Sequence, residues 1–98
     1  MASNKSDEKR DSFEKNVTFV IVSFKSDHII ERCIKSIKPN LKIIIIENSD
    51  NVNVKNYLEN KFSNVKVTIA KKNLGYGKGN NLGITKVNNK YVFKLKFL

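Results

Sequence analysis

Four short apolar segments, separated by segments with helical periodicity, constrain the fold of this chain most. Residues 17–24 and 41–46 are almost continuous apolar runs rich in β-branched residues, a pattern typical of strands covered on both faces. Residues 65–69 alternate apolar and polar side chains and predict a half-exposed edge strand. A fourth strand is predicted over about residues 90–95. The 98 residues have room for one small core, since they amount to less than an average domain.

Three helical segments connect these strands. Apolar residues recur at helical spacing in the first two, so each is predicted to bury one face. These residues are Ile30, Cys33, Ile34 and Ile37 in the first helix, and Val54, Tyr57, Leu58 and Phe62 in the second. Ser26 and Asp27 suit the start of the first helix, and Asp50 is predicted to cap the second, with a contact to the nucleotide as the alternative. A weaker third helix is predicted over residues 79–87, after a glycine-rich loop.

The alternation of strands and helices predicts a three-layer α/β fold, in which a Rossmann-like parallel sheet has helices on both faces. Right-handed crossovers give the order 3-2-1 for the first three strands, with the alternating strand at the edge. The buried first strand then needs a second neighbour, which the fourth strand supplies. The predicted strand order is therefore 3-2-1-4. Ligands of such sheets bind at the carboxyl ends of the strands beside the switch point, here between strands 1 and 4.

Charge is distributed unevenly along the chain. Residues 1–16 carry four basic and four acidic groups and little apolar surface, so they are predicted to form a charged flexible tail. The whole formal net charge of +10 therefore belongs to residues 17–98. Residues 60–98 hold nine lysines and no carboxylate, a surplus that attracts polyanions such as nucleotide diphosphates, nucleic acid or acidic membranes. A small basic module that binds nucleic acid non-specifically is one interpretation, although the chain has only two arginines.

Several classes of protein are disfavoured by what the sequence lacks. Cys33 is the only cysteine, which excludes an internal disulfide and suits a reducing cytosol. His28 has no second His or Cys near it for a metal ion, and it is predicted to be a surface residue. The longest apolar run is too short to span a bilayer, and residues 1–16 contain no apolar signal core. A cytoplasmic location, with peripheral membrane contact at most, is therefore expected.

All four glycines lie within nine residues, 75–83. Glycine permits positive φ and close backbone approach, and N–H groups that lead into a helix bind anions. The spacing does not match the Rossmann fingerprint, whose third glycine would fall on Leu82 or Asn80. It does not match the P-loop either, which needs Ser or Thr after Lys78. The cluster is predicted to be another kind of nucleotide-binding loop, with a flexible turn as the alternative.

The chain resembles the N-terminal, donor-binding part of a family 2 glycosyltransferase with the GT-A fold. The resemblance spans about residues 17–93 in four segments: VTFVIVSFKSDHIIERCIKSI, IIIIENSDN, KKNLGYGKGNNLGI and NKYVF. It implies transfer of a sugar from a UDP-, dTDP- or GDP-linked donor to a hydroxyl acceptor. It also implies a role in cell-surface polysaccharide or glycolipid synthesis.

The resemblance also assigns residues that bind the nucleotide-sugar. Ser23 and Phe24 match positions that contact the base, and the family often has Asn where Lys25 stands. Glu47 matches an acidic residue, usually Asp, that accepts hydrogen bonds from the base or ribose. The loop over the nucleotide-sugar comprises Asn73, Gly75, Tyr76, Gly77, Asn80 and Asn81, with Lys78 as a candidate for neutralising the diphosphate.

Family members hold a divalent cation, Mg or Mn, with an acidic motif that follows strand 4. Here lysines follow that strand and no carboxylate follows Glu59, so no catalytic or metal-binding residue is assigned. The chain is therefore expected to be a truncated domain that lacks the acceptor half and is inactive alone. Strand 4 would then be an exposed edge carrying Tyr91, Phe93 and Phe97, and poor solubility or self-association is expected.

Overall fold

The computed structural model of the chain describes residues 14–88 and 90–95. They form a four-stranded parallel sheet with the order β3-β2-β1-β4. The strands are β1 (Val17–Ser23), β2 (Lys42–Glu47), β3 (Val65–Ile69) and β4 (Tyr91–Leu95). The helices between them are α1 (Asp27–Lys35), α2 (Val52–Lys61) and α3 (Gly75–Thr85). The predicted α/β fold class and the strand order 3-2-1-4 are confirmed. The predicted tail falls almost wholly outside the described residues, as does Phe97.

Helices cover both faces of the two central strands. One core cluster lies between the sheet and the pair α1 and α2; its buried members are Ile21, Ile30, Ile34, Ile43, Ile45, Val54, Leu58, Val65 and Val67. On β1 and β2 the alternate residues Val20, Val22 and Ile46 lie against α3 instead. Since successive strand residues point to opposite faces, α3 packs on the other side of the sheet and completes three layers. No helix in the described part of the chain has the length and apolarity of a membrane span.

Two glycines allow α3 to approach the sheet closely. A Cβ added at Gly79 would lie 2.8 Å from Val22 Cγ1, and one added at Gly83 would overlap with Val20 Cγ1. These residues are four apart and so lie on one side of the helix. Half of the glycine cluster therefore serves helix–sheet packing. A Cβ at Gly77, by contrast, would meet no atom within 4 Å.

The structure corrects three local predictions. The third helix begins at Gly75 rather than Gly79, so most of the predicted glycine loop is helical. The cap of α2 is Asn51 rather than Asp50, and its side-chain oxygen accepts a hydrogen bond from the Val54 N–H. Tyr57 is 52% exposed and lies outside the core, where its hydroxyl donates to Glu31.

The outer edge of β3 is covered by side chains of α2. Glu59 accepts a hydrogen bond from the Val67 N–H at 2.8 Å, and Lys55 Nζ donates to the Val67 carbonyl at 2.8 Å. Lys55 also pairs with Glu59 at 2.7 Å, so the two side chains form one unit. Edge strands expose backbone groups that can pair with another chain, and this pair occupies those of Val67.

Replacing Gly83 with Ala tests the close approach of α3. Overlap with Val20 costs about 1–3 kcal/mol, which outweighs the helix propensity gained by Ala. We expect Gly83→Ala to lower the free energy of unfolding. The matched control Gly77→Ala adds the same methyl group to the same helix, but at a position where it meets no other atom. It should raise the free energy of unfolding by about 0.5 kcal/mol. Urea denaturation measures both, and shifts of the same sign would contradict this packing.

The Lys55–Glu59 pair predicts a dependence of stability on pH. Burial opposes ionisation of Glu59, but hydrogen bonds from Lys55 and the Val67 N–H outweigh it, so the pKa of Glu59 is lowered. Ionised Glu59 therefore stabilises the folded chain fully at a pH above its pKa in the unfolded chain, about 4.3. This stabilisation is lost as the pH falls through the lower pKa of the folded chain.

We expect Glu59→Gln to reduce the free energy of unfolding at pH 7 by less than about 1 kcal/mol, since the pair is partly exposed. The variant should also lose less stability than the parent chain between pH 5 and pH 3. Denaturation curves across this range measure both effects, and parallel pH profiles would refute the assignment.

Candidate functional site

Backbone hydrogen bonds join the turns that follow β1, β2 and β3 at the carboxyl edge of the sheet. We call these turns, residues 24–26, 48–51 and 70–72, the ridge. Asn48 N–H donates to the Ser23 carbonyl at 2.8 Å, which extends the β1–β2 pairing by one residue. Lys71 N–H donates to the Ser49 carbonyl at 3.0 Å. Since β1 lies between β2 and β4, this ridge borders the predicted switch point.

The Glu47 carboxylate lies inside this ridge and is 1% exposed. Ser23 Oγ donates to its Oε1 at 2.8 Å, while Oε2 accepts from Ser49 Oγ at 2.5 Å and from the Lys25 N–H at 3.1 Å. A buried carboxylate is stable only when its oxygens are hydrogen-bonded. These three donors, from the turns after β1 and β2, meet that requirement and fix the two turns to each other.

Two lysines in this ridge have left-handed backbone conformations. Lys25 has φ 51° and Lys71 has φ 69°, values that non-glycine residues adopt rarely and at a cost of about 1–3 kcal/mol. The hydrogen bond from the Lys25 N–H to Glu47 stabilises the first of these turns. The ammonium group of Lys25 lies 5.3 Å from the centroid of the half-exposed Phe24 ring, within reach of a cation–π interaction.

The first turn of α3 lies beside the end of β2. Asn48 is fully buried, and its Nδ2 donates to the Gly75 carbonyl at 3.2 Å. Asn73 Oδ1 accepts from the Gly75 N–H at 2.8 Å, and Gly75 has a φ of +78°, which favours glycine. The side-chain oxygens of Asn48 and Asn80 are buried without a hydrogen-bond partner in the described structure.

The predicted site residues separate into two groups. Contacts join Ser23, Glu47, Asn73 and Gly75 to this ridge, and Phe24 follows Ser23 directly. Tyr76, Gly77 and Lys78 are exposed in the first turn of α3. Asn80 is buried whereas Asn81 is exposed, so the two neighbouring Asn residues lie in different environments. Asn48 and Ser49 belong to the polar segment 47–50 that the strand order predicts at the edge of the crevice, but neither is assigned a contact with the nucleotide-sugar.

The electrostatics of this edge favour anions. Lys25, Lys71, Lys72 and Lys78 are all exposed after β1, after β3 or in the first turn of α3. The carboxylates nearby are Glu47, which is buried, and Asp27 and Asp50, which are exposed, so the exposed lysines outnumber the exposed carboxylates by four to two. Across residues 14–88 and 90–95, no three His, Cys, Asp or Glu side chains are grouped as a metal site requires.

The other chemically reactive side chains lie elsewhere. His28 is exposed on α1, as predicted. Cys33 is half-buried against the core, where burial raises the pKa of its thiol and so reduces its nucleophilicity.

Comparison with known proteins agrees with this fold. A sequence model of the family described as glycosyl transferase family 2 matches residues 18–95, most of the chain. A search of curated proteins gives no significant match.

Replacing Glu47 with Gln tests the central hydrogen-bond cluster. The amide would put an NH₂ group opposite at least one of the three donors, and a buried unsatisfied group costs about 1–3 kcal/mol. We therefore expect Glu47→Gln to lower the free energy of unfolding by about that amount. Asp50→Asn makes the same exchange at an exposed position three residues away and should change it by less than about 0.5 kcal/mol. Equal effects in urea denaturation would contradict the cluster.

Proposed function

The chain belongs to glycosyl transferase family 2, and on that premise we propose that it binds the nucleotide of a nucleotide-sugar donor at the carboxyl ends of β1 and β2. The observation that supports this most is the position of the α3 N-terminus beside the turns that Glu47 joins. In the reaction to which such binding would contribute, the oxygen of an acceptor hydroxyl bonds to the anomeric carbon, its proton passes to a base, and the bond from that carbon to the nucleoside diphosphate breaks. No residue of this chain is assigned as that base.

The first turn of α3 is the proposed site for the diphosphate. The N–H groups at a helix N-terminus have no partner within the helix and carry partial positive charge, so they bind phosphate oxygens. Since the Gly75 N–H already donates to Asn73, the Gly77 N–H is the donor proposed for the diphosphate. Beside Gly77 there is open space in which a ligand can approach the backbone, since an added Cβ would meet nothing within 4 Å. Lys78 adds a formal positive charge in the same turn.

The base and ribose are proposed to bind beside the end of β1. Phe24 follows Ser23 there and is 36% exposed, which leaves part of its ring available for stacking on a base. Three of the roughly four acceptor positions of the Glu47 carboxylate are already used by the chain, so a ligand can share at most the remaining one. We propose that Glu47 acts mainly by positioning Ser23 and the Lys25 backbone.

Members of this family generally use divalent cations. The residues described here do not fit such an ion, because Glu47 is committed to three donors and Lys94 lies near the end of β4. No step of the proposed reaction by this chain is therefore assigned to a metal. Donor binding is the part of the activity that these residues support.

We also propose that the donor is linked to UDP, dTDP or GDP and that the protein takes part in cell-surface polysaccharide or glycolipid synthesis. We propose a cytoplasmic location with peripheral membrane contact. Self-association through β4 also stays a prediction, which size-exclusion chromatography with light scattering tests.

Donor binding is tested by changing the charge of the first turn of α3 without changing its shape. Gly77→Asp places a carboxylate beside the proposed diphosphate position, whereas Gly77→Asn places a neutral side chain of the same size there. Both variants should fold, since Asp and Asn are tolerated near a helix N-terminus.

We expect calorimetry to detect binding of at least one of UDP, dTDP and GDP to the parent chain. Gly77→Asp should weaken that binding at least tenfold relative to Gly77→Asn. Absence of binding by the folded parent chain, or equal affinities of the two variants, would overturn the proposal.

A further inference from the structure

A cavity lies at the amino-terminal edge of the sheet, opposite the candidate site. Its volume is about 330 Å³, at the lower end of the range for small-molecule sites. Its floor includes Ile44, and its rim includes Lys42, Lys66 and Lys86, together with Asn64 and Asn88. We call it the lysine cavity. No carboxylate lines it among the described residues.

The strand register brings two of these lysines together. Ile44 pairs with Lys66 on the neighbouring strand, and Lys42 lies two residues before Ile44 on the same face of β2. Lys42 and Lys66 are therefore diagonal neighbours on adjacent parallel strands. Their backbones lie about 8 Å apart, since strands are about 4.8 Å apart and rise about 3.3 Å per residue. Lys86 directly follows α3, the helix on this face of the sheet, and also lines the cavity.

These lysines are not paired with acidic groups. The three ion pairs among the described residues use Lys38, Lys55 and Lys61 instead. Lys66 acts on Glu59 through space, but that carboxylate takes its hydrogen bonds from Lys55 and Val67. The partial negative charge at the C-terminus of α3 balances Lys86. Lys42 and Lys66 remain as exposed like charges beside one concavity, where both attract an anion.

We propose that the lysine cavity binds a small phosphorylated anion. The three ammonium groups and the amides of Asn64 and Asn88 supply donors for phosphate oxygens, and Ile44 supplies an apolar floor for the rest of the ligand. A concave site of this volume suits a compact ligand better than an extended polymer. The site lies at the opposite end of the strands from the proposed donor site, so a ligand there does not occupy the donor position.

A titration of the ¹⁵N-labelled chain with pyrophosphate, followed by NMR, tests this proposal. The variant Lys42→Gln/Lys66→Gln removes two charges from the cavity. The control Arg32→Gln/Lys35→Gln removes two charges from the exposed side of α1. We expect saturable shifts of the amides of Asn64, Lys66 and Asn88 in the parent chain. The dissociation constant from these shifts should rise at least tenfold in the cavity variant and less than threefold in the control.

Equal weakening in the two variants would indicate diffuse attraction to net charge and would overturn the proposal, as would an absence of shifts at the cavity. A short oligothymidine that binds the same lysines and resists displacement by pyrophosphate would overturn it in favour of a nucleic-acid surface. Amides of residues 75–78 report the donor site separately in the same spectra. Gly77→Asp should alter the pyrophosphate-induced shifts of residues 75–78 and leave those at the lysine cavity unchanged. Failure of the donor-site proposal can therefore be distinguished from failure of the cavity proposal.

Discussion

The close packing of α3 on β1 is the constraint on which the candidate site depends. It requires that no Cβ be present at Gly79 or Gly83, where a methyl group would collide with Val22 or Val20. With the helix at this distance, Asn48 at the end of β2 reaches the Gly75 carbonyl in the first turn. The glycines thus place the N-terminus of α3 at the carboxyl edge of the sheet, which is the position that anion binding by that helix requires.

A second constraint is the burial of the Glu47 carboxylate. Its three hydrogen bonds come from Ser23, Ser49 and the Lys25 N–H, so one side chain determines the shape of two turns. Lys25 adopts the left-handed conformation that Asn tolerates more easily, and its N–H is one of these donors. The strained turn after β1 and the buried carboxylate are therefore in direct contact.

Hydrophobic patterning predicted the sheet well, because both faces of β1 and β2 are buried and their sequences show it. It failed where tertiary contacts outweigh local propensity. Four glycines in nine residues disfavour a helix, yet α3 begins at Gly75, since close packing on Val20 and Val22 needs glycine at two of those positions. Tyr57 fits the helical stripe by spacing but is exposed beside Glu31. The hydrogen-bond cluster around Glu47 joins residues 24 apart, and no local pattern encodes that pairing.

The central claim is that the ends of β1 and β2 and the first turn of α3 form one nucleotide-binding site. Mapping of amide shifts in the ¹⁵N-labelled chain on addition of UDP, dTDP or GDP tests it most directly. The account predicts that one of these nucleotides perturbs residues 23–25, 47–49 and 75–78 together, with a single dissociation constant. Perturbation confined to other parts of the folded chain, or none with any of the three, would contradict it.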